Sequence, residues 1–395
     1  MIDMKKTIIC FLIILNCFRL SVYAQQYDIS NSVNDFSFSL FNQVKEREKN
    51  IVFSPLSIEI ALLSCYEGAS GDTKKEFEKV LHYSNSSKQV KPFLSKLNST
   101  KDSFNCLKIS NSLWIQKDYS IINNYQTVIE NDYLSSVFNL DFRNVQKACD
   151  AINLWTKQQT NGLINEIISP DKLDSETKLV LTNTMYFSGE WEVAFSSELT
   201  QQDKFYSINK KVEEVDFMNN KGFFSYSEID NFKTITLPYR DNSNSLIVIL
   251  PNRKYGIDKI EQNINSTIID KILNTQKRTL VKLTIPKFKL DYKIDDLVKY
   301  LKIIGLDLSL SKNADYTLIT KESMVIDKVI HKANFEINEK RTVASASTLV
   351  GRLAGCDVKS KPPKPKVFKA DHPFIFMLFN NDTKSVLFIG KYVRK

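Results

Sequence analysis

Residues 340–366 read KRTVASASTLVGRLAGCDVKSKPPKPK, a small, polar and basic stretch in a chain that is otherwise rich in apolar runs. Ala344, Ser345, Ala346, Ser347, Gly351, Ala354 and Gly355 leave it little to bury, and Pro362, Pro363 and Pro365 close it with residues that cannot donate to a sheet ladder. A connection of this length inside a compact domain is uncommon and is usually functional. Any fold proposed for this chain therefore has to present a long loop close to its C-terminus.

Outward from that loop, helical and strand signals are intermixed. Residues 28–48 and 54–82 carry apolar residues at helical spacing, among them Ile58, Leu62, Leu63, Cys65, Phe77, Val80 and Leu81. Strand-like runs occur at 179–187, 234–239, 246–250, 281–290, 374–379 and 385–393, set off by turn residues such as Asp241-Asn242-Ser243-Asn244 and Asn380-Asn381-Asp382. There is no internal repeat and no linker, so mixed α+β structure in one domain over residues 25–395 is expected.

Residues 1–24 differ in kind. Lys5 and Lys6 precede the apolar run from Ile8 to Leu15, and Val22-Tyr23-Ala24 offers the small residues of a signal-peptidase site before Gln25. A cleaved secretory signal and an extracellular, soluble product are expected. No later run approaches the roughly 20 apolar residues of a membrane helix. With 395 residues, 43% of them hydrophobic, the chain can bury a large core without metal or disulfide staples. Four cysteines follow the signal (Cys65, Cys106, Cys149 and Cys356), widely spaced and without a C-x-x-C pair, so no zinc site is expected; a Cys106–Cys149 bridge is left open. Sequons at Asn85, Asn98, Asn265 and Asn381 are candidate glycosylation sites. The net charge of +9 in a secreted chain argues against nucleic acid and, if it has a partner, for an anionic polysaccharide.

Catalytic signatures are missing. The three histidines are His82, His331 and His372, and the chain has no G-x-S-x-G, no H-E-x-x-H, no phosphate-cradling glycine loop and no dinucleotide fingerprint. Neither an enzyme nor a cofactor is expected.

The segment from Asn50 to Ile58 (NIVFSPLSI), followed by Gly68-Ala69-Ser70-Gly71-Asp72-Thr73, resembles the first signature of the serpins. The match continues in the family's order through Asn153, Trp155, Thr160-Asn161-Gly162 and Ile164, then residues 181–191 (LTNTMYFSGEW), Leu237-Pro238-Tyr239, Leu250-Pro251, residues 285–288 (IPKF), residues 329–333 (VIHKA) and residues 368–374 (FKADHPF). The resemblance spans about residues 30 to 393. It implies three β-sheets, about nine helices and an exposed reactive-centre loop, here about residues 339–367, which inserts into the main sheet after a protease cuts it; serpins are the standing example of that strand addition. It further implies that Ser54, Ser57, Asn183 and His331 form a polar cluster beneath the sheet's centre, and that Trp191, Lys287 and Glu339 form the site at its top where the loop enters.

Insertion requires the loop to behave as a strand. Alternation puts Thr342, Ala344, Ala346, Thr348 and Val350 on one face and Val343, Ser345, Ser347 and Leu349 on the other. The first set is small and uncharged, so it can enter a core without burying a charge, and no proline interrupts residues 335–361. The hinge is Glu339, Lys340, Arg341 and Thr342 to Thr348. Arg341 departs from the glycine usual in the family's inhibitors and restricts the backbone where the chain must reverse.

Two ways of locating the scissile bond disagree. The family's usual spacing counted from Glu339 ends on Gly355, giving Gly355–Cys356, which is favoured because the trap depends on insertion length. Counting back from the Phe368–Phe374 motif gives Lys359–Ser360. Gly355 suits an elastase-type protease, Leu353 a chymotrypsin type, and Arg352 or Lys359 a trypsin type. The lysines Lys359, Lys361, Lys364, Lys366 and Lys369 among the prolines suit either a solvated spacer or an exosite for a protease or polysaccharide. The expected activity is inhibition of a serine protease by a monomer, the alternative a non-inhibitory serpin acting as carrier, chaperone or binding protein.

Overall fold

A computed structural model describes residues 29–83, 87–98, 105–294, 297–339 and 364–395. Among them are nine helices: α1 (Ile29–Val44), α2 (Pro55–Gly68), α3 (Gly71–Leu81), α4 (Ser87–Asn98), α5 (Asn123–Asp132), α6 (Val145–Gln159), α7 (Ile257–Glu261), α8 (Thr267–Thr275) and α9 (Leu297–Ile303). The strands are β1 (Ile51–Phe53), β2 (Asn105–Gln116), β3 (Ser135–Leu140), β4 (Leu179–Gly189), β5 (Gln201–Tyr206), β6 (Val212–Ile229), β7 (Phe232–Pro238), β8 (Asn244–Pro251), β9 (Lys277–Pro286), β10 (Phe288–Ile294), β11 (Ile326–Ile337), β12 (Lys366–Lys369), β13 (Phe374–Asn380) and β14 (Ser385–Tyr392).

Five strands make one sheet in the order β10-β11-β4-β2-β3. The others run β1-β14-β13-β8-β7-β6-β9-β12, with β5 also on β6. The two smaller sheets of the expected three are thus continuous, because β6 is long enough to pair in succession with β5 (212–217), β9 (217–226) and β7 (225–229).

Two expectations from run length need correction. The helical stretch 54–82 is two helices, divided at Ala69-Ser70, where Gly71 takes φ +55. The helix ends where Ala69 turns to extended backbone, and Gly68 just before it packs tightly, since a Cβ there would lie 2.1 Å from the Ile319 side chain. The strand-like run 281–290 also breaks. Pro286 ends β9, and the chain crosses at Lys287 into β10 of the other sheet.

Helix α2 is the hub. Leu56, Ile58, Ile60, Leu62 and Leu63 are all fully buried, so the helix is covered on every side. It starts where Ser54 caps it, accepting from the Ser57 amide, with Pro55 in the first turn. Cys65 is buried on it, and Cys65, Cys106 and Cys149 are all free thiols, so the bridge left open between Cys106 and Cys149 is not formed. No described helix is long and apolar enough to cross a membrane.

The hub also buries a carboxyl. Ser32 Oγ on α1 lies 2.5 Å from Glu59 Oε1 and also contacts the Leu81 carbonyl, while Glu59 Oε2 has no hydrogen-bond partner. One hydroxyl hydrogen can serve only one of those acceptors, and a protonated Glu59 supplies the second. Burial pushes the Glu59 carboxyl up to about 8, opposed by the Ser32 hydrogen bond and assisted by the charge of Asp35. The native state therefore holds a proton that the unfolded chain has released above about 4.5, and stability falls as pH rises from there to about 8. Glu59→Gln should flatten this decline, which costs on the order of 1 kcal/mol per pH unit, as measured by urea unfolding between about pH 5 and about pH 8.

Candidate functional site

The site is built where the two central strands of the five-stranded sheet part. β11 and β4 run parallel and pair edge to edge, but their ladder stops at Ala333↔Met185, although β11 continues to Ile337 and β4 to Gly189. On their far edges both strands stay paired over that length, β11 with β10 up to Ile337↔Phe288 and β4 with β2 up to Gly189↔Asn105. The pair is therefore a fork, closed below and open at the top. Its lower end is fastened by Asp327, whose Oδ2 accepts from the Lys178 and Leu179 amides at 2.6 and 3.2 Å.

At the mouth of the fork, Trp191 follows the end of β4 and Asn338 follows the end of β11. The indole Nε1–H donates to the Asn338 carbonyl at 3.0 Å. The indole is held by stacking on Tyr239 (centroids 4.4 Å apart, planes at 16°) and by an edge contact with Phe195. Beside it Glu339 accepts from Lys287 Nζ (2.9 Å) and Thr200 Oγ1 (2.8 Å). Burial by itself would raise the Glu339 carboxyl, but hydrogen bonds from Lys287, its own backbone and Thr200, with the Lys287 charge, together hold it below the usual carboxylate range. Lys287 reaches this point because it occupies the crossover between β9 and β10.

Below the mouth is a polar neck. His331 and Asn183 are partners across the β11–β4 ladder, and the N-terminus of α2 faces them. The Ser54 amide donates to His331 Nε2 at 3.0 Å, so that nitrogen keeps its lone pair. The proton is on Nδ1, which lies 2.5 Å from Asn183 Oδ1. Ser57 Oγ donates to the same Asn183 oxygen at 3.2 Å, and Ser54 Oγ lies 2.8 Å from Met185 Sδ. Burial drives the His331 imidazole down to about 3, so it is neutral. The group joins two strands and a helix without carrying a charge.

The residues expected at the two sites are thus brought together in two clusters. Thr200, Asn338 and Met185 join them without having been singled out; Thr200 and Asn338 act from irregular chain, where neither period nor motif marks them. The hinge from Lys340 through Arg341, Thr342, Val343, Ala344, Ser345, Ala346 and Ser347 to Thr348, and the candidate bonds at Arg352, Leu353, Gly355–Cys356 and Lys359–Ser360, lie outside the described residues. The chain enters that segment from Glu339 and leaves it through β12, which pairs with β9 at the edge of the other sheet. Of the sequons, Asn85 also lies outside, Asn98 and Asn265 are exposed, and the Asn381 amide nitrogen donates to Asn242 O and Ser245 Oγ.

A family profile described as Serpin (serine protease inhibitor) matches residues 31–395. A serpin-like protein of Thermococcus kodakarensis is 33% identical over 378 residues, covering 93% of this chain and 86% of the relative. Uncleaved ovalbumin superposes with a TM-score of 0.84 at 26% identity, covering 93% of this chain and 100% of the other. Native protease nexin-1 with heparin gives 0.83 at 27%, covering 93% and 99%.

Replacing the neck histidine tests what it holds. His331→Leu leaves the Ser54 amide unpaired in the core and the Asn183 side-chain oxygen with the Ser57 hydroxyl alone, and should cost about 1–3 kcal/mol in urea unfolding at neutral pH. The wild-type histidine favours the folded state fully above 6.5, and that contribution is lost as pH falls toward about 3. The variant should therefore lose less stability on acidification than the wild type.

Proposed function

Since the chain belongs to the serpin family, we propose that it is a secreted suicide-substrate inhibitor of serine proteases. Family membership supports a protease inhibitor rather than an enzyme in general terms. The more specific reading rests on one observation: a central parallel ladder that ends short of both its strands, with the loop's first residue, Glu339, at the mouth.

The geometry favours insertion as follows. A chain leaving the top of β11 and turning down into the fork runs antiparallel to both β11 and β4, which run parallel to each other. One parallel ladder is then replaced by two antiparallel ones, which pair slightly better per residue. The uncharged set Thr342, Ala344, Ala346, Thr348 and Val350 can enter without a desolvated charge. Inserting about 14 residues at roughly 3.3 Å each carries an attached protease on the order of 45 Å, enough to take its catalytic groups out of register. Entry requires the Trp191 hydrogen bond and the Lys287–Glu339–Thr200 contacts to let go at the mouth, and the His331 neck to part below it.

On this reading residues 1–24 are a signal peptide, residues 25–395 one domain, and the mature protein an extracellular monomer. Asn98 and Asn265 are better placed to carry a glycan than Asn381, whose amide nitrogen is already engaged. An anionic polysaccharide partner is in keeping with the net charge of +9 and with protease nexin-1, which was solved with heparin. Arg341 favours a second reading, a binding protein whose loop does not insert, because a bulky cation stands where the chain must reverse.

Incubation with trypsin, chymotrypsin and elastase separately should give a complex that survives denaturing electrophoresis with at least one of them, and the released C-terminal peptide should begin at Cys356. Ala346→Arg should abolish the complex and leave clean cleavage, and Arg341→Gly should raise the fraction of protease trapped. Cleavage by all three without a complex or a gain in thermal stability would replace inhibition by the binding-protein reading.

A further inference from the structure

A cleft of about 310 Å³ opens between the β6–β7 turn and the helices α7 and α8, at the small end of the range for sites that hold organic ligands. Its floor is apolar: Phe232 and Ile264 are buried, and the half-buried Ile268 of α8 forms one wall. Its rim is polar. Asn231 is exposed there, and Asn263 uses its amide nitrogen on the Lys259 carbonyl at 2.9 Å, which leaves its side-chain oxygen free to accept. An ion pair bridges the two sides, from Lys271 Nζ on α8 to Asp230 Oδ2 in the turn at 2.6 Å.

The sequon asparagine Asn265 is itself part of the lining. Its side-chain oxygen accepts from the Thr267 amide at 3.1 Å and from Thr267 Oγ1 at 2.6 Å, a local turn that opens α8 and is built from the sequon's own residues. Both contacts use the carbonyl branch of the side chain, and the amide nitrogen has no hydrogen-bond partner among the described residues. A substituent on that nitrogen therefore breaks no contact. At Asn381 the opposite holds, since its amide nitrogen donates to Asn242 O and Ser245 Oγ and a substituent would displace at least one of them.

We propose that Asn265 carries an N-linked glycan whose first sugars, N-acetylglucosamines, dock in this cleft. The proposal rests on the secreted reading above and deepens it by naming an occupied sequon and what holds its glycan. In the transfer, a bond forms between Asn265 Nδ2 and C1 of the first sugar as the C1–O bond to the diphosphate of a lipid-linked oligosaccharide breaks; Nδ2 gives up one proton and the lipid diphosphate leaves. An N-acetylglucosamine presents C–H faces and an acetyl methyl to the apolar floor, and hydroxyls to Asn231 and Asn263 at the rim. A shallow, open cleft holds a free sugar weakly. Attachment at its own edge makes docking intramolecular, at an effective concentration in roughly the millimolar range, without any added contact. The docked sugar then ties α7 and α8 to the β6–β7 turn.

The test uses residues 25–395 secreted from a eukaryotic host behind a supplied signal peptide, so that the outcome does not depend on residues 1–24. Mass spectrometry of the peptide that contains Asn265 should find it glycosylated. Asn265→Gln should lower the thermal midpoint of the secreted chain by about 2 °C. A cycle with Ile268→Ser, which removes the apolar wall and leaves the sequon intact, separates docking from the mere presence of a glycan. In the Ile268→Ser background the Asn265→Gln shift should shrink to within about 0.5 °C. Amide hydrogen exchange over residues 230–232 and 259–268 should be several-fold slower in the glycosylated chain than in Asn265→Gln. An unmodified Asn265 would overturn the proposal. So would a glycosylated Asn265 whose loss changes neither midpoint nor exchange, or whose loss has the same effect with and without Ile268→Ser. Residues 1–24 fused to a reporter test secretion on their own, so a failure of the secreted reading and a failure of docking are told apart.

Discussion

Two parallel strands, β4 and β11, lie edge to edge at the centre of a sheet and part before either one ends. The polar neck and the mouth are both arranged around that seam. Parallel neighbours cannot be joined by a tight turn, so each strand is anchored by a different part of the chain, and the seam separates without breaking a hairpin. The same geometry leaves the upper ends of both strands unpaired with each other, and Glu339, from which the proposed inserting loop departs, lies at that mouth.

What holds the seam differs with depth. At the top, the contacts are an exposed-rim ion pair and one indole hydrogen bond, groups that water can replace at little cost. At the neck, the contacts are buried and neutral: an imidazole stripped of its proton by burial, an amide and the capped start of a fully buried helix. Parting there would leave those polar groups unpaired. On the proposed reading, a weakly latched mouth above a buried, neutral neck lets the sheet open from the top.

Stability is lowered at two further places. Glu59 puts a carboxyl inside the hub helix that starts at this neck, and Lys221 faces Lys282 across an exposed ladder. Both lower the stability of the native arrangement in isolation. The first has no role in the seam beyond weakening the core that supports it as pH rises.

Much of this was legible in the residues. Motifs in order along nearly the whole chain pointed to the family and its mixed α+β fold, although two of the three expected sheets prove continuous, and alternation gives the loop the pattern of a strand, since a two-residue period depends only on local backbone geometry. The identity of the neck and mouth residues came with the motifs. Run length failed at Ala69, where the chain turns to extended backbone beside the tightly packed Gly68, and at Pro286, where one apolar run serves two sheets. Thr200 and Asn338, and the premature end of the β4–β11 ladder, carry no sequence signal at all. They depend on which segments meet across distances of tens or hundreds of residues, and local chemistry determines what a segment can form, whereas only tertiary packing decides which edge is left open for it.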